Sequence, residues 1–261
     1  MSKNKKFSIW EGAFLKIEDI TTGGNVTISA LDNYDSQQWL EKEKNSILSY
    51  RKKYSGQIGK NYPPKNSNLP LLFSIINPKR ILDYGGSNGW VFEFLKTSVI
   101  GKPNNAISEY FIYELEKSCH FFSKFHSYPV KYVSSSKHLE KVDLLYSNST
   151  LQYILEDDEW IDVVKASDPE WILLDDFICH PNEDDYFTMQ IYKGKKIVVK
   201  FRSIDKFKDS LSKIGYEIIS IFPFISGYKT RSENNFLDME GVPKKFRIEY
   251  PHSILIRKIQ N

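Results

Sequence analysis

The segment Asp83-Tyr84-Gly85-Gly86-Ser87-Asn88-Gly89 constrains this chain more than any other. It follows an apolar run, Arg80-Ile81-Leu82. It precedes Trp90 to Lys96, where Val91, Phe92, Phe94 and Leu95 recur at helical spacing. Strand, glycine turn and helix in that order form the ligand-binding unit of a doubly wound parallel sheet. Glycine lets the backbone make the turn and lets a ligand approach with no Cβ in the way. Such a turn can also do no more than pack a helix on a strand, so the rest of the chain has to decide.

From Pro78 onward, short apolar runs alternate with helical stretches. Strands are expected at Tyr110 to Glu114, Val130 to Val133, Val142 to Ser147 and Trp171 to Asp175. Helices are expected at Lys117 to Phe125 and through Trp160 to Val164. That alternation predicts an α/β fold with a mostly parallel sheet and helices on both faces. The tail departs from it. Phe187 to Tyr192 and Lys196 to Phe201 read as an inserted β-hairpin, followed by a helix from Ile204 to Ile214 that ends at Gly215. Tyr216 to Phe222 and His252 to Ile259 read as two closing strands, separated by a long polar loop expected to be functional or mobile.

Residues 1–77 read as a helical and aromatic extension that covers the active site of a domain spanning 78–261. Trp10 to Phe14 is aromatic and turn-like, Ser36 to Tyr54 is an amphipathic helix, and another helix starts near Pro70.

Composition narrows the class. With 41% hydrophobic and 15% aromatic residues, a 261-residue chain can build a sizeable core, so disorder throughout is excluded. No apolar run approaches the ~18–20 residues of a membrane span. No signal-peptide pattern follows the basic start, so a cytoplasmic protein is expected. A net charge of +3 with dispersed basic residues offers little footprint for nucleic acid. Cys119 and Cys179 form no C-x-x-C pair, and no histidine spacing fits a metal, so no metal site is expected. The acidic runs Asp157-Asp158-Glu159 and Glu183-Asp184-Asp185 read as solvated helix starts and loops.

The glycine loop discriminates between ligands. A dinucleotide G-x-G-x-x-G ending at Gly89 needs glycine where Tyr84 stands, and no G-K-[ST] of a P-loop is present. Asp83 would repel a pyrophosphate and attract an ammonium. Glu114, at the end of the second strand, can accept hydrogen bonds from both hydroxyls of a ribose.

This loop and acid resemble those of class I S-adenosylmethionine-dependent methyltransferases, whose usual loop is D/E-x-G-x-G-x-G, with Ser87 here at the middle glycine. The resemblance covers about residues 78–260 and implies a seven-stranded Rossmann-like methyltransferase sheet. It also implies S-adenosyl-L-methionine as cofactor, with S-adenosyl-L-homocysteine as product. Tyr146 to Ile154 is similar to an S-x-S-x-L-Q-Y signature of methyltransferases encoded in bacterial capsule and O-antigen loci. Phe187 to Gln190, Trp10-Glu11-Gly12 and Asn33-Tyr34-Asp35 resemble further elements of that group.

The resemblance implies cofactor contacts from Asp83, Gly85, Gly86, Ser87, Gly89, Glu114, Asn148 and Ser149. It implies acceptor contacts from Gln152, Tyr153, Trp10, Tyr34 and Gln190. His180, with an ordinary pKa near neutrality, and Asp176 are the candidate catalytic groups at the end of strand five. The expected reaction is O-methylation of a small sugar, nucleotide-sugar or phosphate-bearing precursor of a surface polysaccharide. A nicotinamide-dependent oxidoreductase and a non-catalytic cofactor-binding scaffold are the alternatives. A homodimer is left open.

Overall fold

A computed structural model describes residues 9–20, 26–27, 34, 36–54, 68–98, 107–192, 194–224 and 239–260. Two sheets share the chain. The larger has seven strands: β3 (Arg80–Tyr84), β4 (Glu109–Tyr113), β5 (Val130–Val133), β6 (Leu144–Asn148), β7 (Trp171–Phe177), β11 (Tyr216–Pro223) and β12 (His252–Lys258). Their order is β11-β12-β7-β6-β3-β4-β5. The five strands from β3 to β7 run parallel to their neighbours, and β12 is antiparallel to both β7 and β11. The seven-stranded, mostly parallel sheet expected from the sequence is present.

Helices cover both faces, which is why these strands are apolar on alternate and adjacent residues alike. Ile81, Tyr110, Ile112, Leu144 and Leu173 point to one face, against Leu69 and Phe73 of α2 (Asn68–Ile76) and Val91, Phe92 and Leu95 of α3 (Trp90–Ser98). Leu82, Phe111, Leu145, Ile172, Ile254 and Ile256 point to the other. They pack on Trp160, Val163 and Val164 of α5 (Asp157–Ser167) and on Phe207 and Leu211 of α6 (Ile204–Lys213). Ser203 caps α6 by accepting from the Lys206 N–H, and Gly215, with φ of +83°, turns the chain from α6 into β11. On the α3 side, α4 (Glu116–Phe122) buries Phe122 against Trp39 of α1 (Gln37–Tyr54).

The second sheet is built on the inserted hairpin, β9 (Tyr186–Tyr192) and β10 (Lys195–Ser203). β1 (Trp10–Phe14) pairs antiparallel with β9. β2 (Val26–Thr27) and β8 (Cys179–His180) pair parallel with β10. Two expectations change here. Trp10 to Phe14 is a strand, because the hairpin offers an edge whose backbone groups need partners. The segment after β11 is not a free loop in its described part. Met239, Val242 and Ile248 join Trp10, Tyr186, Val199 and Phe201 in a core of their own, and the Gly12 N–H donates to the Gly241 carbonyl at 2.9 Å.

Candidate functional site

The glycine loop lies at the carboxyl ends of β3 and β4. Gly85 N–H donates to the Tyr113 carbonyl at 2.9 Å, and Gly89 N–H closes a turn onto the Gly86 carbonyl at 3.0 Å. Ser87 sits at φ of +50°, in the left-handed region. That conformation explains why glycine is usual at this position and why serine is strained in it.

Glu114 follows β4 and its carboxylate reaches back to the loop. Oε1 accepts from the Ser87 N–H and Oε2 from the Leu115 N–H, both at 3.0 Å. The loop and the acid read together in the sequence are thus joined. Ser87 Oγ is buried with no hydrogen-bond partner.

Asp83 is 1% exposed. Tyr110 O–H donates to its Oδ2 at 2.8 Å. Burial pushes its carboxyl up to about 7; the Tyr110 bond opposes this and the charge of Glu114 adds to it. The missing Cβ atoms of the loop face this chain's own side chains. A Cβ on Gly86 would strike the Asp83 carboxylate, and one on Gly85 would strike Thr150. A larger residue at 86 therefore disturbs Asp83 first, a correction to the view that these glycines merely clear space for a ligand.

A second constellation sits at the ends of β6 and β7. Asn148 pairs with Asp175 in register, and the Ser149 N–H donates to the Asp175 carbonyl at 3.0 Å. Ser149 and Asp176 both adopt positive φ, +55° and +51°. Their side chains meet, the Ser149 hydroxyl donating to Asp176 Oδ2. Two non-glycine residues in the left-handed region are thus bonded side by side at the strand ends.

The two neighbouring acids differ. Asp175 is interior: its oxygens accept from the Ser253 and Tyr146 hydroxyls, and burial pushes it up to about 6. Asp176 is half-buried; both acids line a narrow crevice with Ser147, Thr150, Gln152 and Phe177. Gln152 is 5% exposed and its Oε1 has no partner.

Of the acceptor candidates, Tyr153 O–H donates to Gln190 Oε1 at 2.8 Å, and the Tyr34 ring meets Tyr153 edge-on at 5.3 Å. Residues from three separate segments are brought together. Trp10 is not with them. It is 3% exposed, packed on Phe201 in the second sheet's core, and presents no ring face to a ligand. Asn33 and Asp35, and Tyr228, Lys229, Arg231 and Phe236 of the long loop after β11, lie outside the described residues.

His180 is corrected as well. Its Nε2 is 3.2 Å from the Phe201 carbonyl, its Nδ1 accepts from the Asn182 N–H at 3.2 Å, and its ring packs on Tyr186. Both nitrogens serve the backbone, and burial lowers its pKa. It braces the hairpin of the second sheet rather than presenting a base. Of the two acidic runs, Asp158, Glu159, Glu183 and Asp184 are exposed as expected, while Asp157 and Asp185 are only partly exposed and are paired. Asp157 pairs with Arg202 and Lys200, and Asp185 with Lys200.

Sequence reasoning missed Arg202. It is 2% exposed on β10 and donates to the carbonyls of Leu151 (2.6 Å) and Ile154 (2.7 Å) and to Asp157. It thereby holds the stretch after β6 that carries Gln152 and Tyr153. The signal was a pair of charges in the apolar run Val198-Val199-Lys200-Phe201-Arg202, since buried charges require partners.

No family model and no curated protein matches this chain. Solved structures do. A glycopeptide N-methyltransferase, MtfA, complexed with S-adenosylhomocysteine aligns over 87% of this chain and 99% of its own, with a TM-score of 0.50 at 11% identity. This chain has a Rossmann-like methyltransferase fold. Human N-acetylserotonin methyltransferase in complex with S-adenosylmethionine aligns over 96% of this chain and 63% of its own (TM-score 0.49, 10% identity). A Burkholderia thailandensis 1,6-didemethyltoxoflavin-N1-methyltransferase with bound S-adenosylhomocysteine aligns over 90% and 92% (TM-score 0.46, 11% identity). Among the described residues, no helix is long and apolar enough to cross a membrane.

Proposed function

We propose that this chain is an S-adenosylmethionine-dependent methyltransferase that methylates a hydroxyl of a small cytoplasmic acceptor. The observation that carries the reading is the Glu114 carboxylate bonded to the Ser87 N–H across the glycine loop. An ionised carboxylate only accepts hydrogen bonds, so an acid at this strand end suits the hydroxyls of a ribose. The unpartnered Ser87 Oγ and the buried acid Asp83 fit a ligand that brings a hydrogen bond and an ammonium group. A dinucleotide would set its pyrophosphate among acids.

In this reading Asp83, Gly85, Gly86, Ser87, Gly89, Glu114, Asn148 and Ser149 hold the cofactor. When bound, it supplies a methyl group on a cationic sulfur whose leaving group is a neutral thioether. The chain's remaining work is to orient the acceptor and take its proton. Asp176 is the base, with Ser149 aiming its carboxylate. Gln152, with a free buried oxygen, accepts a hydrogen bond from the acceptor, and Tyr153, Gln190 and Tyr34 form the adjoining wall. A sugar, nucleotide-sugar or phosphate-bearing precursor of a surface polysaccharide is the acceptor class, supported by the likeness of Tyr146 to Ile154 and Phe187 to Gln190 to the polysaccharide-locus group.

Calorimetric titration of wild type and Glu114→Ala with S-adenosylmethionine, S-adenosylhomocysteine and NADH tests the cofactor. Wild type is expected to bind the first two and not NADH. Loss of two charge-assisted hydrogen bonds should weaken Glu114→Ala by about 100-fold. NADH binding, or an unaffected Glu114→Ala, overturns the reading.

A further inference from the structure

The glycine loop is also gripped from outside the sheet. Asn88, 1% exposed, donates from Nδ2 to the carbonyl and the carboxylate of Glu43 on α1, at 3.0 and 3.1 Å. Its Oδ1 accepts from the Trp90 N–H at the start of α3. Its carbonyl lies 2.9 Å from His126 Nε2, and His126 Nδ1 lies 3.0 Å from Arg51 Nη2.

Arg51, in the last turn of α1, also bonds Glu93 of α3 at 2.8 Å and the Phe125 carbonyl at 2.7 Å. A guanidinium only donates and a carbonyl only accepts. The ring is therefore the neutral tautomer, with its proton on Nε2 and its acceptor at Nδ1. A Cβ on Gly89 would strike this ring, so the loop's last glycine answers to His126 as well as to its own φ of +73°.

We infer that Arg51 and His126 are positioning residues that lock α1 onto the glycine loop, so that docking of α1 and binding of the adenosyl ligand strengthen each other. The inference rests on the cofactor reading above. Ser87 is strained, and its N–H must aim at Glu114; such a conformation persists only where the surroundings over-determine it. The relay supplies that constraint from two elements distant in sequence. Coupling of this kind is reciprocal: whatever the docked helix adds to ligand affinity, the ligand adds to helix docking.

The relay is also breakable by acid. A proton on Nδ1 turns an acceptor into a donor facing a guanidinium. The groups around the ring are Arg51 from α1, Glu93 and Lys96 from α3, the Asn88 carbonyl of the loop and the Tyr132 ring of β5. Burial, with Arg51 and Lys96 acting the same way, keeps the ring below its ordinary pKa, so the relay is intact at neutral pH and fails as pH falls.

The test titrates the full chain with S-adenosylhomocysteine at pH 7.5 and 5.5, in wild type, Arg51→Gln, His126→Ala and His126→Gln. Amide hydrogen exchange of residues 37–54 is followed with and without ligand. At pH 7.5, Arg51→Gln and His126→Ala should each weaken binding about tenfold. Ligand should slow exchange in α1 of wild type but not of these two.

His126→Gln keeps a donor for Asn88 and an acceptor for Arg51 and cannot titrate. It should bind within about threefold of wild type at pH 7.5 and lose less affinity at pH 5.5. Asp83 titrates alike in both proteins, so the difference isolates His126. If Arg51→Gln binds like wild type, or ligand leaves α1 exchange unchanged in wild type, the coupling is absent. Arg51 is partly exposed, so that variant carries the comparison should His126→Ala not fold. If wild type itself binds no S-adenosylhomocysteine, the cofactor reading fails and the relay's role falls with it.

Discussion

The two halves of the site are built from different materials. At the ends of β3 and β4, the working groups are backbone N–H groups of one local loop and two carboxylates, Asp83 on the preceding strand and Glu114 a strand away. At the ends of β6 and β7, they are side chains held by partners far along the chain: Asp175 by Ser253, Leu151 and Ile154 by Arg202, Tyr153 by Gln190. A pocket of backbone groups needs a fixed local pattern. A pocket of side chains can be assembled from almost any pattern that the tertiary fold brings together. The comparison predicts that damage to the acceptor-facing groups of the second half, Asp176, Gln152 and Tyr153, leaves cofactor binding working.

Asp176→Asn should break the halves apart most. Removing a general base costs roughly 10²–10⁴-fold in rate, while S-adenosylhomocysteine affinity should stay near wild type. Once an acceptor is found, single-turnover methylation and calorimetry on the same preparation decide. A variant that keeps its rate would return the base to another group.

Arg202→Met comes next. It strips donors from two carbonyls and leaves Asp157 with Lys200 alone. The expected loss is about 3 kcal/mol of unfolding free energy, measured by urea denaturation. Below the unfolding transition the variant should still bind S-adenosylhomocysteine. Loss of ligand binding in folded protein would mean that the second sheet supports both halves.

This contrast also accounts for what could be read in advance. Arg80 to Tyr84, the glycine loop and Glu114 are contiguous or one strand apart, so local apolar runs and turn residues suffice to place them. Gly215 closing α6 and the β9–β10 hairpin were legible for the same reason. In the sequence Trp10 reads as an acceptor contact, because the burial that withdraws it depends on Phe201 and on Met239, Val242 and Ile248. His180 was read as a base because its ordinary pKa is visible in sequence. The Phe201 carbonyl and the Asn182 N–H that occupy its nitrogens are not. Arg202 escaped because a residue's partners, rather than its type, decide whether a buried cation organises a site.

Asp83 sharpens the comparison through pH. Its carboxyl stands at about 7 in the folded protein against 3.8 ordinarily. Between those values the folded state holds a proton that the unfolded chain has released. The group's stabilising contribution is thus full below pH 4 and is lost as pH rises toward 7. A ligand ammonium reverses the preference by favouring the ionised form. S-adenosylhomocysteine should therefore bind about tenfold more tightly at pH 8 than at pH 5.5, with proton release visible as a buffer-dependent heat. Asp83→Asn should flatten most of that slope, His126 supplying what remains. A wild-type profile with no slope would separate Asp83 from the ligand.

The smallest effect is the most discriminating, because two properties should move in opposite directions. Ser87→Gly relieves a left-handed serine, worth about 1–2 kcal/mol, and adds about 0.5–1 kcal/mol of glycine chain entropy to be lost on folding. It also removes a buried hydroxyl that has no partner. The net is a gain of up to about 1.5 kcal/mol in unfolding free energy. If Ser87 Oγ is held in place for the ligand, the same change weakens S-adenosylhomocysteine several-fold. Stability up with affinity down would mark Ser87 as strain retained for binding. Stability up with affinity unchanged would make it a serine where glycine serves as well, leaving Glu114 and the backbone N–H groups to carry recognition in that half.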